Sequence, residues 1–227
     1  MLNRLRPRPR TFHIGRLELD LRATVALIAT TLLLTIDRYH NFFPIRTQLE
    51  ALRGMAYEGT PLFLLVPLLI ILVVFGESPR QYGLTRGDWR LGLKLTAIVV
   101  GAVLPLVALA ALTPDMRAYY AGDDGRWQNL LPPIALSLVG WEFLFRGFLI
   151  FSLVQVMGPT AIIVQAVPFA LAHLGKPELE TLTTVLGGSL FGWVAWRTRS
   201  FFYPYLIHLA IYTLTAILAT TAGGPGG

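Results

Sequence analysis

Seven apolar runs divide this sequence, at about Ala23–Ile36, Pro61–Phe75, Leu91–Leu112, Leu130–Met157, Thr160–Leu174, Leu182–Trp196 and Tyr203–Thr221. Such runs suit a lipid environment, where every backbone N–H and C=O must find a partner inside the protein. The expected fold is all-α: a polytopic transmembrane helical bundle of seven to eight spans. A helix needs about 20 residues to cross roughly 30 Å of hydrocarbon. The first, second, fifth and sixth runs are shorter than that, so flanking amphipathic residues must complete them. The fourth is long and contains Pro132 and Pro133, which leaves one tilted helix or two elements. Charged residues make up 14% of the chain, against about 25% in soluble domains.

The charges that remain are unevenly placed. Arg4, Arg6, Arg8, Arg10, Arg16 and Arg22 precede the first run, and no basic patch interleaved with aromatics follows. The net charge of +6 therefore reads as an orientation signal, and nucleic acid is not expected as a partner. With seven spans and an internal N-terminus, internal segments hold twelve basic residues and external segments six. The expected organisation is a basic cytoplasmic tail over residues 1–22, a transmembrane domain over 23–222 and a Gly-rich external end, Gly223–Gly227. Asp123, Asp124 and Gly125 mark an exposed external loop. Asp37, Arg38, Tyr39 and His40 follow the first run where a signal peptide would show small residues, so that run is expected to be an uncleaved span. The chain has no cysteine, which removes disulfides, thiolate metal sites and cysteine nucleophiles.

Ionisable residues inside the runs carry the chemistry. They are costly in lipid and face a bundle interior or a wet cavity. Glu142 and Arg146 lie four apart, on one helix face and within pairing reach; alone, they also suit a structural ion pair. His173 and His208 fall in successive late runs and, taken singly, also suit satisfied packing histidines. Glu178 and Glu180 follow Pro177 at a helix start, where helix-end electrostatics explains Glu180 and leaves Glu178 a secondary candidate. Tyr212, one turn from His208, is the other. Together, Glu142, Arg146, His173 and His208 are accommodated most simply in one polar intramembrane cavity. A glutamate there can take a proton from water, with two imidazoles positioning that water or the developing oxyanion. This reading requires no cofactor. The set Glu142, His173 and His208 suits zinc equally, although no His-Glu-x-x-His element is present. A proton relay or small transporter would use the same residue types, but no duplicated half with broken helices is visible.

Trp141-Glu142-Phe143-Leu144-Phe145-Arg146, Phe169 to His173 and His208 to Tyr212 resemble, in order and spacing, the motifs of the CPBP or Abi family, which includes CAAX prenyl endopeptidases and bacteriocin-processing enzymes. That family shows Glu-Glu-x-x-x-Arg, then Phe-x-x-x-His, then His-x-x-x-Asn or Asp, on successive late helices. The resemblance covers roughly residues 130–218. Gln81-Tyr82-Gly83-Leu84 and Gly87-Asp88-Trp89-Arg90 also resemble the loop such proteins carry before a span. The resemblance implies an integral inner-membrane endopeptidase acting on membrane-associated peptides, with Glu142 as general base, Arg146 orienting it, and His173 and His208 assisting. Two departures stand out. Trp141 occupies the position of the first glutamate, and Tyr212 that of the amide or acid. They motivate the alternative of an inactive relative acting in bacteriocin immunity or scaffolding.

Overall fold

The computed structural model describes residues 10–40, 47–121 and 127–221. Arg4, Arg6, Arg8, Arg46, Arg126, the Asp123–Gly125 loop and the Gly-rich end lie outside these residues. Helix dominates, as expected. One departure is a small antiparallel hairpin, β1 (Thr11–Ile14) with β2 (Leu17–Asp20), within the expected tail. Gly15, at φ +60°, supplies its two-residue turn, a conformation that costs glycine little.

Asp20 ends the hairpin and caps α1 (Leu21–Tyr39), accepting a hydrogen bond from the Ala23 N–H. The next helix runs over Glu50–Val74. It comprises α2 (Gln48–Gly54), a π turn Met55–Gly59, α3 (Thr60–Leu69) and a second π turn, Ile70–Val74. Thr47 and Glu50 form its capping box. Pro67 removes one N–H from this ladder, and the helix widens to π geometry just beyond it. Then come α4 (Trp89–Ala111), α5 (Pro114–Ala121), α6 (Trp127–Glu142), a π stretch Phe143–Leu149 and α7 (Ile150–Met157). The last elements are α8 (Ala161–Val164), α9 (Ala166–Leu171), α10 (Glu178–Thr198) and α11 (Phe202–Thr221).

Among the described residues, four helices are long and apolar enough to cross a membrane: Glu50–Val74, Trp89–Ala111, Asn129–Leu171 and Phe202–Thr221. The third, of 43 residues, is folded back on itself. In a straight helix Phe145 and Phe169 would stand about 36 Å apart; their ring centroids are 5.2 Å apart. The reversal falls at Gly158, φ +58°, followed by the 3-10 turn Gly158–Thr160. The runs containing α1 and α10 form helices of 19 and 21 residues, but their polar content separates them from the other four. Their threonines bond to the preceding turn of their own helix, as Thr31 to Leu27 O and Thr183 to Leu179 O.

Two sets of contacts define the ends of the bundle. At the hairpin end, Arg10 donates to Phe75 O and Arg22 pairs with Glu77. Asp88 N–H donates to Thr198 O at 2.9 Å, and Phe201 N–H to Gly83 O at 3.2 Å. At the opposite end Tyr120 donates to Glu180 at 2.7 Å. The loop before α4 is pinned tightly: a Cβ on Gly87, at φ +54°, would lie 1.9 Å from Thr198 O. Gly87→Ala is expected to cost at least about 2 kcal/mol, read as a lowered thermal midpoint in detergent. Gly87→Ser should fail equally, because both the φ and the space are refused.

Glu77 is the hub of the hairpin end. It pairs with Arg22 and accepts the Tyr82 hydroxyl at 2.6 Å. Burial pushes its carboxyl up, but hydrogen bonds from Arg22 and Tyr82, together with the charges of Arg22 and Arg10, outweigh this and hold it below its ordinary 4.5. A depressed carboxyl contributes stability above its unfolded value and loses it as pH falls through the folded one. Acidification from about pH 5 to below 4 should therefore lower the wild-type melting temperature more than that of Glu77→Gln. Parallel acid profiles for the two would remove the hub's pH role.

Candidate active site

The four main residues singled out in the sequence come from four places in the fold. Glu142 ends α6, and Arg146 lies in the π stretch, whose seven residues are all buried. Wider π turns recur at functional sites because they re-aim side chains. His173 follows α9 in a tight turn, where its carbonyl accepts from the Lys176 N–H at 3.1 Å and the Thr181 hydroxyl at 2.9 Å. His208 lies in α11.

The Glu142 carboxylate joins two of these elements. Its Oε1 accepts from His208 Nδ1 at 2.6 Å and from Arg146 at 3.3 Å. Glu142 and Arg146 are both fully buried. Such a pair must recover a large desolvation cost. Part of the recovery is aromatic: the Arg146 guanidinium carbon sits 3.8 Å from the Phe169 ring centroid and 5.2 Å from that of Phe191. Glu142 Oε2 and two of the Arg146 nitrogens have no hydrogen-bond partner among the described residues.

The imidazoles have fixed tautomers. His173 Nδ1 lies 2.8 Å from Phe169 O, and a carbonyl only accepts, so Nδ1 carries the proton. His208 Nδ1 faces a carboxylate, which as an anion also only accepts. In its neutral form each ring then keeps Nε2 as an unprotonated base. Both rings line one partly open pocket. Its wall also includes Trp141, Ser137, Tyr212, Lys176 and Asp37. Trp141 packs edge-on against His173, ring centroids 6.0 Å apart, and Tyr212 edge-on against Tyr120 at 5.5 Å.

Glu142 stands behind this wall, not in it. Glu178 is exposed and outside the wall. Its neighbour Glu180, explained in the sequence by its helix end, instead accepts from Tyr120 and, at 2.7 Å, from Lys176. Sequence reasoning passed over Lys176 and Asp37 as loop and flank residues; only the charge of Asp37 at the end of the first run hinted at a site. For zinc, Glu142 Oε2 and the Nε2 atoms of His173 and His208 remain available, and the Nδ1 contacts to a carboxylate and a carbonyl are of the kind that orient imidazole ligands. No group of three His, Cys, Asp or Glu able to hold a metal ion occurs among the described residues.

Residues 125–214 match the family model described as Type II CAAX prenyl endopeptidase Rce1-like. The match supports a membrane protease of the CPBP family, and at the family level a peptide hydrolase. The matched segment covers less than half of the chain and contains Glu142, Arg146, His173, His208 and Tyr212. No curated protein and no solved structure matches the chain.

Proposed function

We propose that this chain is an intramembrane endopeptidase in which a Glu142–His208 dyad activates water. The observation that carries this is the 2.6 Å contact between Glu142 Oε1 and His208 Nδ1, with the other face of His208 on a pocket shared with His173. The base role that the sequence suggests for Glu142 passes to His208. Its Nε2 takes a proton from water, and Glu142 stabilises the imidazolium that forms. His173 Nε2 accepts the second hydrogen of that water and aims it. The hydroxide adds to the scissile carbonyl, where the Trp141 N–H and the Tyr212 hydroxyl are available donors for the oxyanion. The tetrahedral intermediate then expels the amine, which takes its proton from His208, leaving a new carboxylic acid that releases the remaining water-derived proton to solvent. Arg146, 3.3 Å from Glu142 Oε1, orients the carboxylate.

This route uses no metal. Cleavage of a membrane-associated peptide should be unaffected by 1,10-phenanthroline. Loss of activity restored by zinc would return the zinc reading of Glu142, His173 and His208. The substitution at Trp141 favours a second reading, an inactive relative in immunity or scaffolding. That reading stands if His208→Ala and His173→Ala both keep full biological function.

The orientation belongs to the same proposal. Seven crossings follow if each helical limb, with the Asn129–Leu171 stretch counted as two, runs from one end of the bundle to the other. The hairpin end carries nine described basic residues, Arg10, Arg16, Arg22, Arg80, Arg86, Arg90, Lys94, Arg197 and Arg199; the opposite end carries Arg38, Arg53, Arg117 and Lys176. That asymmetry favours a cytoplasmic hairpin end, so the pocket, lined by Asp37, Lys176 and Tyr212, opens away from the cytoplasm. Leader-type or membrane-inserted peptides fit such an opening better than a cytoplasmic prenylated C-terminus. Because the chain has no cysteine, single-cysteine variants report the sides cleanly. In intact cells, an impermeant maleimide should label Thr113→Cys and spare Ser78→Cys. The reverse pattern would turn the pocket to the cytoplasm and favour CAAX-type processing.

A further inference from the structure

We infer that Asp37 is the specificity residue of this pocket and selects peptides with a lysine or arginine beside the scissile bond, an inference that rests on the endopeptidase reading. Asp37 lies near the end of α1, outside the matched segment 125–214, yet its side chain lines the same pocket as His173 and His208.

Among the described residues, no cation pairs with Asp37. Lys176, the cation on the wall, is already bonded to Glu180 at 2.7 Å. His173 and His208 have their Nδ1 positions committed. Asp37 is half-buried and has neither a hydrogen bond nor an ion pair among the described residues. Glu58, on the next helix, acts on it with charge of the same sign. Arg38, next in sequence, is exposed and makes no ion pair among the described residues. A carboxylate left uncompensated in a partly closed, apolar-walled pocket favours an incoming cation.

The walls suit a basic side chain rather than a small ion. Met55, Phe63 and Trp141 line the pocket with Asp37, and Phe63 packs edge-on against Trp141 at 5.5 Å. The methylene stem of lysine or arginine can lie along these surfaces with its head on the carboxylate. The Trp141 face adds cation–π attraction. Trp141 in turn packs against His173, so a side chain held here sets its own backbone near the imidazoles.

The test uses full-length protein in lipid nanodiscs and a fluorescent, membrane-associated peptide series differing only in one central residue: lysine, glutamine or glutamate. Binding is measured on His208→Ala protein, so that cleavage does not intrude, and turnover on protein with His208 intact. The lysine peptide should bind about tenfold tighter than the glutamine peptide. Asp37→Asn, nearly isosteric, should erase that preference, and Asp37→Lys should transfer it to the glutamate peptide. Equal binding of all three peptides, or a preference that survives Asp37→Asn, overturns the inference. Charge-selective binding without any turnover would sink the endopeptidase reading and leave Asp37 as a recognition residue. Turnover without charge selectivity would do the opposite.

Discussion

Glu142→Gln should lower peptide cleavage by about 10³- to 10⁴-fold while the protein still accumulates in the membrane. The magnitude follows from what the carboxylate does. In the proposed dyad it lies behind the pocket wall, and its part is to hold the Nδ1–H tautomer of His208 and to stabilise the imidazolium formed when Nε2 takes a proton. Glutamine keeps the volume and can still accept from Nδ1, but it cannot stabilise that positive charge. The expected signature is a fall in kcat with little change in KM, because substrate meets His208, His173 and Trp141 rather than Glu142. Arg146, left without its carboxylate, still rests on the faces of Phe169 and Phe191, so the fold should survive with reduced stability. Wild-type turnover by this variant would end the dyad mechanism.

The second large effect is on stability. Arg146→Leu leaves a fully buried carboxylate whose remaining partner is His208, at an expected cost of about 3–5 kcal/mol. Removing both charges, as Glu142→Leu with Arg146→Leu, should recover most of that loss, because two buried ions are replaced by apolar volume. The double variant should nevertheless be inactive. The measurement is a double-mutant cycle on thermal or denaturant unfolding in detergent, with turnover assayed in parallel. A double variant as unstable as the two single losses added together would mean that Arg146 acts through packing on Phe169 and not through its charge. Stability recovered together with activity would mean that the pair has no part in catalysis.

Much of this architecture was legible because the bilayer imposes a simple rule. Each apolar run became helix, and the reversal fell at Gly158, where the sequence breaks between Leu130–Met157 and Thr160–Leu174. The hairpin Thr11–Asp20 was missed because four-residue strands in a basic flank leave almost no periodic signal. Helix α5, Pro114–Ala121, was missed for a related reason: it is short and polar on average, and its place is set by packing, with Tyr120 against Tyr212 and Glu180. Of the site, Glu142, Arg146, His173 and His208 could be picked out because ionisable groups are conspicuous in lipid-compatible runs. Glu178 was picked out for its nearness in sequence to His173; two residues on, about 200° around the helix, it is Glu180 that turns inward to meet Tyr120 and Lys176.

The amino-acid sequence by itself determined that the chain folds as membrane helices, and which buried charges need company. Both follow from the cost of exposing backbone or charge to hydrocarbon, which depends on composition along a single segment. Only the tertiary structure decided who faces whom: His208 in front of Glu142, His173 beside Trp141, and Asp37 brought from α1 to the same pocket. Those relations depend on the phase and packing of helices up to about 170 residues apart in sequence, and no local pattern encodes them.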